Sequence, residues 1–134
     1  MTNTVKTIND YLIDNFSDKL GVDIIYRDLF YTAEGLEIMS RHDPSQARVI
    51  EYLDGSSVGE KSISYYVRDE NPETCDKTLQ TIAGALDNLE ITDISDSTTS
   101  YTLSVDSVPS FNSIDDKNQF IYKIDVTISF KHGD

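Results

Sequence analysis

Three observations in this 134-residue chain predict an α+β fold, in which two helices cover one face of an antiparallel sheet. The first is a pair of amphipathic stripes with three- and four-residue spacing, at 5–20 and 75–89. The second is "QFIYKIDVTISFK", where Phe120, Tyr122, Ile124, Val126, Ile128 and Phe130 share one face of a strand. The third is a set of shorter alternating segments, which gives the order α-β-β-β-α-β-β. With both helices on one side, the opposite sheet face is expected to be polar and free. One domain spanning 1–134 is expected, since the length suits a single core and neither repeat nor linker interrupts it.

The elements follow in order. Val5, Ile8, Leu12, Phe16 and Leu20 form the first stripe, with Thr4 as the expected N-cap and Gly21 as the stop. Residues 23–31, "DIIYRDLFY", are apolar without a clean period and read as a short strand or an extended connection. "GLEIMSR" (35–41) is a predicted strand, "HDPSQ" a turn, and "ARVIEYL" (47–53) the next strand. Asp54-Gly55 is a reversal signal, and "EKSISYYVR" (60–68) puts Ile63, Tyr65 and Val67 on one face. These two stretches should pair as a hairpin. Asn71 and Pro72 then start the second helix, whose stripe is Cys75, Leu79, Ile82, Leu86 and Leu89. Gly84 inside it costs roughly 1 kcal/mol against alanine, so close packing on the sheet is the expected reason for it. The polar stretch "TDISDSTTS" follows, then the strand "YTLSV" (101–105). "DSVPSFNSIDDKN" is a long polar connection to the last strand.

Charge narrows the function. Twenty-four acidic residues against eleven basic ones give a net charge of −13 and a pI near 4.3. No basic cluster is present to displace counterions from phosphate, which argues against a nucleic-acid binder, and an anionic membrane is disfavoured for the same reason. Solubility explains the acidity most simply, and a wall that DNA passes without sticking would also be negative. Hydrophobic content is 38 %, low for a compact domain yet above that of a disordered chain. Eight tyrosines against five phenylalanines point to half-buried aromatics on sheet faces and partner contacts. A single cysteine, no visible secretory signal in "MTNTVKTIND" and no apolar run near 20 residues lead to the expectation of a soluble chain made in the cytoplasm.

Candidate chemistry is sparse. "VRDENPETCDKTL" crowds Asp69, Glu70, Glu73 and Asp76 together, but acidic groups beside a helix N-terminus complement its dipole. Neither an EF-hand pattern nor a neighbouring histidine accompanies them, so a helix start is the favoured reading. His42-Asp43 lacks a nucleophile on a strained turn, and His132 lies far along the chain. Cys75 falls on an apolar stripe and reads as a small buried residue. Gly55 and Gly59 lack the spacing and the lysine of a phosphate loop. Arg41, Arg48 and Arg68 are isolated cations on polar strand faces, either local charge partners or anchors for a neighbour's carboxylates.

Two passages and the short first helix together resemble the tail-terminator family of long-tailed bacteriophages, also called minor capsid proteins. One passage is "RHDPSQARVIEYLDGSSVGEKSISYYVRDENPETC", leading into "DKTLQTIAGALDNL"; the other is "SVPSFNSIDDKNQFIYKIDVTISFK". The likeness covers nearly the whole chain through loose patterns. The family often has a glycine-containing turn before the acidic pair, which "FNSIDD" lacks.

The resemblance implies a structural virion protein at the head–tail junction, made in the host bacterial cytoplasm, with no catalytic site, cofactor or metal. It implies a ring, commonly of six copies, that caps the tail tube and docks to the head connector. Expected partners are other copies, the tail-tube protein and a head-completion protein, with DNA only passing through the lumen and no membrane. The hairpin tip 54–60 and segment 106–118 are the expected contact loops, which nominates Asp54, Phe111, Asp115 and Asp116 beside Arg41, Arg48 and Arg68. Alternatives are another connector, head-completion or tail-tube-like component, a small hydrolase using His42, Asp43 and the 69–76 carboxylates, or a cytoplasmic protein-binding module.

Overall fold

The computed structural model describes residues 3–32, 35–51, 53, 57–92 and 99–132, with only the backbone described for 3–5, 43–51, 57, 92, 99 and 132. The elements are α1 (Asn3–Leu20), β1 (Ile25–Arg27), β2 (Glu37–Glu51), β3 (Ser57–Asp69), α2 (Pro72–Leu86), β4 (Glu90–Thr92), β5 (Thr99–Val105), β6 (Ser110–Ile114) and β7 (Phe120–His132). The expected α+β class forms, with both helices on one face of the sheet.

The start of α2 and the stop of α1 have local reasons, whereas Thr4, the expected N-cap of α1, lies inside a helix that includes Asn3. The Asn71 side chain accepts from the Glu73 N–H at 2.9 Å, and Pro72 follows at the first helical position. At the other end of α1, Gly21 takes φ +77°, a left-handed stop with its N–H on the Ser17 carbonyl. The predicted stripes are the buried ones: Ile8, Leu12 and Leu20 from α1, and Cys75, Leu79, Ile82 and Leu86 from α2. They meet Ile63, Tyr65, Val67, Leu103, Ile124, Val126 and Ile128 on the sheet, all fully buried. Period-2 alternation therefore decides which sheet face enters the core.

The sheet runs β1-β2-β3-β7-β5-β4, and β6 pairs with β7 beside β5. Its centre is the antiparallel β3–β7 pair, from Ser57↔His132 to Asp69↔Phe120. Four details depart from the expected order. β1 pairs in parallel with β2, so the sheet is mixed rather than purely antiparallel. β4 forms from Glu90–Thr92, at the start of the stretch read as polar connection. The "HDPSQ" turn is a bulge inside one long strand, with the register jumping from Asp43↔Ser62 to Arg48↔Glu60. Pro44 within it has no N–H to give the ladder, so the chain swells outward instead of reversing. The 106–118 connection likewise contains a strand, β6. After Val105 the chain lifts from β7 across Pro109 and then re-pairs at Ser110↔Lys123.

The reversal at Asp54-Gly55 lies outside the described residues, although Glu51↔Ser57 shows β2 and β3 joined as the expected hairpin. Gly84 does not approach the sheet: a Cβ added there would meet nothing within 4 Å.

Candidate functional site

On the helix-covered side, one polar cluster ties α1 to the sheet. Asn9 donates to Ser40 Oγ at 3.0 Å and accepts from the Tyr65 hydroxyl at 2.8 Å. All three residues are buried, and each polar contact satisfies a group that water cannot reach.

The opposite face carries a second cluster. β1 and β2 are parallel, so the chain between them must cross the sheet, and it crosses the side without helices. Arg68 on β3 is 3 % exposed and holds that crossing in place. Its guanidinium donates to Glu37 Oε1 at 2.9 Å, to the Thr32 carbonyl at 2.7 Å and to the Gly35 carbonyl at 3.2 Å. Glu37 in turn accepts from the Tyr31 and Thr32 N–H groups at 3.0 and 3.1 Å. The Phe30 ring lies 4.7 Å from the Arg68 guanidinium carbon, a cation–π contact. Tyr31 stacks on Tyr26 at 5.5 Å, and Met39 beneath is only 6 % exposed. The sheet face expected to be free is thus partly covered. Leu29 and Tyr31 remain exposed on this crossing, at 61 % and 74 %.

Another exposed apolar group among the described residues lies on and just before β6, which pairs only with β7. Val108, Phe111 and Ile114 are 77 %, 53 % and 51 % exposed. Phe111 opposes Tyr122 and Ile114 opposes Phe120, so both sit on the helix-covered side, along the flank of α2. Phe111 meets Tyr122 edge-on at 5.9 Å. Val108 lines a recess of about 410 Å³ with Ala83, Gly84 and Asp87. A second recess of about 410 Å³ lies between Tyr122 and Pro72, Glu73, Asp76 and Lys77 of α2. The loop after β6 closes without glycine. Asp115 Oδ1 accepts from the Lys117 and Gln119 N–H groups at 2.9 Å each, and Asn118 takes φ +61°. Asparagine tolerates that left-handed position better than most residues.

The nominated residues scatter over these features. Arg41 is exposed on the open face, donating to the Asp28 carbonyl at 3.2 Å. Arg68 proves to be a local partner, spent inside the fold on Glu37 and the crossing segment. Phe111 and Asp116 are exposed, and Asp115 fastens its turn. The Arg48 side chain and Asp54 lie outside the described residues. Sequence reasoning missed Glu37, Leu29 and Tyr31, whose roles depend on a crossing that no local pattern announces.

The remaining candidates do not converge. His42 lies on the core-side register of β2 opposite Ile63, with Asp43 on the opposite register. The 69–76 carboxylates stand at the far end of β3. There Asp69 accepts from the Asn71 N–H and Asp76 from Gln80, as part of a helix start. Among the described residues, no three His, Cys, Asp or Glu side chains are placed to hold a metal. Burial, with the Asp69 charge behind it, pushes the Cys75 thiol up to about 11, away from nucleophilic use. No helix among the described residues is long and apolar enough to cross a membrane.

Comparison with known proteins agrees with this picture. No curated relative matches the chain. Among solved structures, a chain of the virion of a native gene transfer agent particle shares the fold, at a TM-score of 0.53 and 11 % identity. The match covers 90 % of this chain and 87 % of that one. The family model described as bacteriophage tail terminator protein matches residues 17–132, from the last turn of α1 to the end of β7. A chain matched over nearly its whole length, with its apolar residues spent on two helices and a sheet, belongs to the bacteriophage tail terminator family of phage structural proteins.

Proposed function

We propose that this chain caps the phage tail tube as a ring, commonly of six copies, and offers that ring to the head connector. The family match over 17–132 carries the reading. The structure supports it with two separate groups of exposed apolar side chains, Leu29 and Tyr31 at one sheet edge and Val108, Phe111 and Ile114 at the other. A subunit with sticky surfaces on opposite sides is suited to cyclic assembly. The head-docking and tube-docking contacts use the ring's remaining surface, whereas the exposed nominated residues Arg41, Phe111 and Asp116 lie within or beside the two apolar groups. A lumen wall that shares the chain's net charge of −13 would let DNA slide through with little adhesion.

Electron microscopy of the purified chain mixed with tail tubes tests this. Added ring density at one end of each tube is the expected result. Tubes that stay bare at every protein concentration would sink the reading. At −13 per copy, isolated subunits repel one another, so added salt should favour self-association. A sedimentation coefficient that falls on adding salt would count against that.

A further inference from the structure

We propose that copies overlap like shingles, the crossing segment of one chain seating Leu29 and Tyr31 against Val108, Phe111 and Ile114 beside α2 of the next. The inference rests on the ring reading and names the two surfaces that would close it.

Geometry favours an unlike pair. β1 is one edge of the sheet, whereas β6 lies past β7 toward the other. Leu29 and Tyr31 ride on the open face, because the residues that clip their segment, Glu37 and Arg68, point that way. Phe111 and Ile114 point to the helix-covered side. Opposite edges and opposite faces let one subunit's margin slide over its neighbour's, which flat edge-to-edge contact would not do. Contacts between different surfaces propagate, and they close into a ring when the rotation fits.

Charge points the same way. The apolar strip is bordered by Glu73 and Asp76 on α2 and by Asp116 in the β6–β7 turn, with Lys77 and Lys117 among them. Pairing this strip with itself would bring two such acidic borders together. The crossing segment instead lies beside Arg41, exposed on the same open face, although Asp23 and Asp28 share that edge and Arg27 takes the opposite register. Like-charge contact disfavours the symmetric pairing and leaves the unlike one. The Arg68–Glu37 clip also fixes the backbone at Tyr31 and Thr32 beforehand, so little ordering cost falls on docking.

Cysteine pairing on the full-length chain tests the proposal, with native Cys75 buried and out of reach. Tyr31→Cys and Phe111→Cys are made separately and together, and oxidised alone and on tail tubes. The expected result is rapid disulfide formation when the two single variants are mixed, little when either is alone, and a ladder ending in a closed ring for the double variant. Phe111→Ser should weaken self-association roughly tenfold, with an unchanged circular dichroism spectrum. Fast pairing of Phe111→Cys with itself, or tube-bound rings whose subunits do not link at these positions, overturns the shingle and leaves the capping reading standing. Tubes that never acquire a ring remove the capping reading and this inference with it.

Discussion

The two polar clusters on β2 and β3 occupy opposite faces of the same pair of strands and differ in kind. Asn9, Ser40 and Tyr65 join a helix to the sheet with neutral hydrogen bonds. Glu37 and Arg68 join an irregular crossing to it with charges, both nearly out of reach of water. A helix brings its own backbone partners and an apolar stripe, so few polar contacts are needed to seat it. An irregular segment brings unpaired N–H and C=O groups. Arg68 donates to the Thr32 and Gly35 carbonyls, and Glu37 accepts from the Tyr31 and Thr32 N–H groups. The expensive contact stands where the backbone is least self-sufficient.

The sharpest way to break this contrast is Glu37→Ala. It leaves the Arg68 charge buried without its carboxylate, and a loss of about 3–5 kcal/mol is expected in urea unfolding. Amide exchange at Tyr31 and Thr32 should accelerate in the same variant, while α1 amides keep their protection relative to global unfolding. Replacing both partners, as Glu37→Leu with Arg68→Met, should recover part of that loss, since no charge is then stranded although the crossing's N–H and C=O groups lose their partners. A double variant no more stable than Glu37→Ala would show that no stranded-charge penalty operates at this site.

On the neutral side, Tyr65→Phe should cost about 1–3 kcal/mol, because Asn9 loses a donor in a dry site. Alkali probes the same face. Burial raises the Tyr65 phenol above its ordinary 10.0 and lifts the Cys75 thiol from 9.0 to about 11. The unfolded chain releases these protons first, so their stabilising share is intact below pH 9 and is lost as pH climbs past it. Lys61, whose pKa burial lowers, acts in the opposite sense. The urea midpoint should therefore decline with pH less steeply above pH 10 in Tyr65→Phe than in the parent. The smallest effect belongs to a site in neither cluster. Gly84→Ala, with open space around it, should gain about 1 kcal/mol in the same assay. A loss there would mean that α2 needs the glycine after all.

Legibility in the sequence followed the range of the forces involved. The stripes of α1 and α2, the Asn71 cap and the face of β7 were readable because each depends on residues a few positions apart. Gly84 invited a packing explanation from its residue type alone, and the space around it shows none. In the sequence Pro44 and Pro109 look like marks of a turn and a loop. Both instead interrupt ladders that continue beyond them, since a missing N–H stops a bond without stopping a strand. The crossing segment was readable only as a short strand or an extended connection, which β1 and the chain after it supply, and not in where it lies. "DIIYRDLFY" has no clean period, and its path is set by Arg68, which holds the next residue, Thr32, from 36 positions away. Of the nominated assembly residues, Phe111 and Asp116 stand exposed beside the apolar strip and Arg41 at the opposite margin, whereas Arg68 turned inward.

The position of β7 has a consequence for how the molecule is made. It is the latest strand in chain order, yet it fills the middle of the sheet, pairing with β3 along one side and with β5 and β6 along the other. Until it emerges from the ribosome, those three strands show unpaired borders to the cell. Folding must wait for synthesis to reach residue 120 and beyond, and it then proceeds through partners more than fifty positions apart. A host short of chaperones would therefore lose this subunit to aggregation before it lost one built from local contacts.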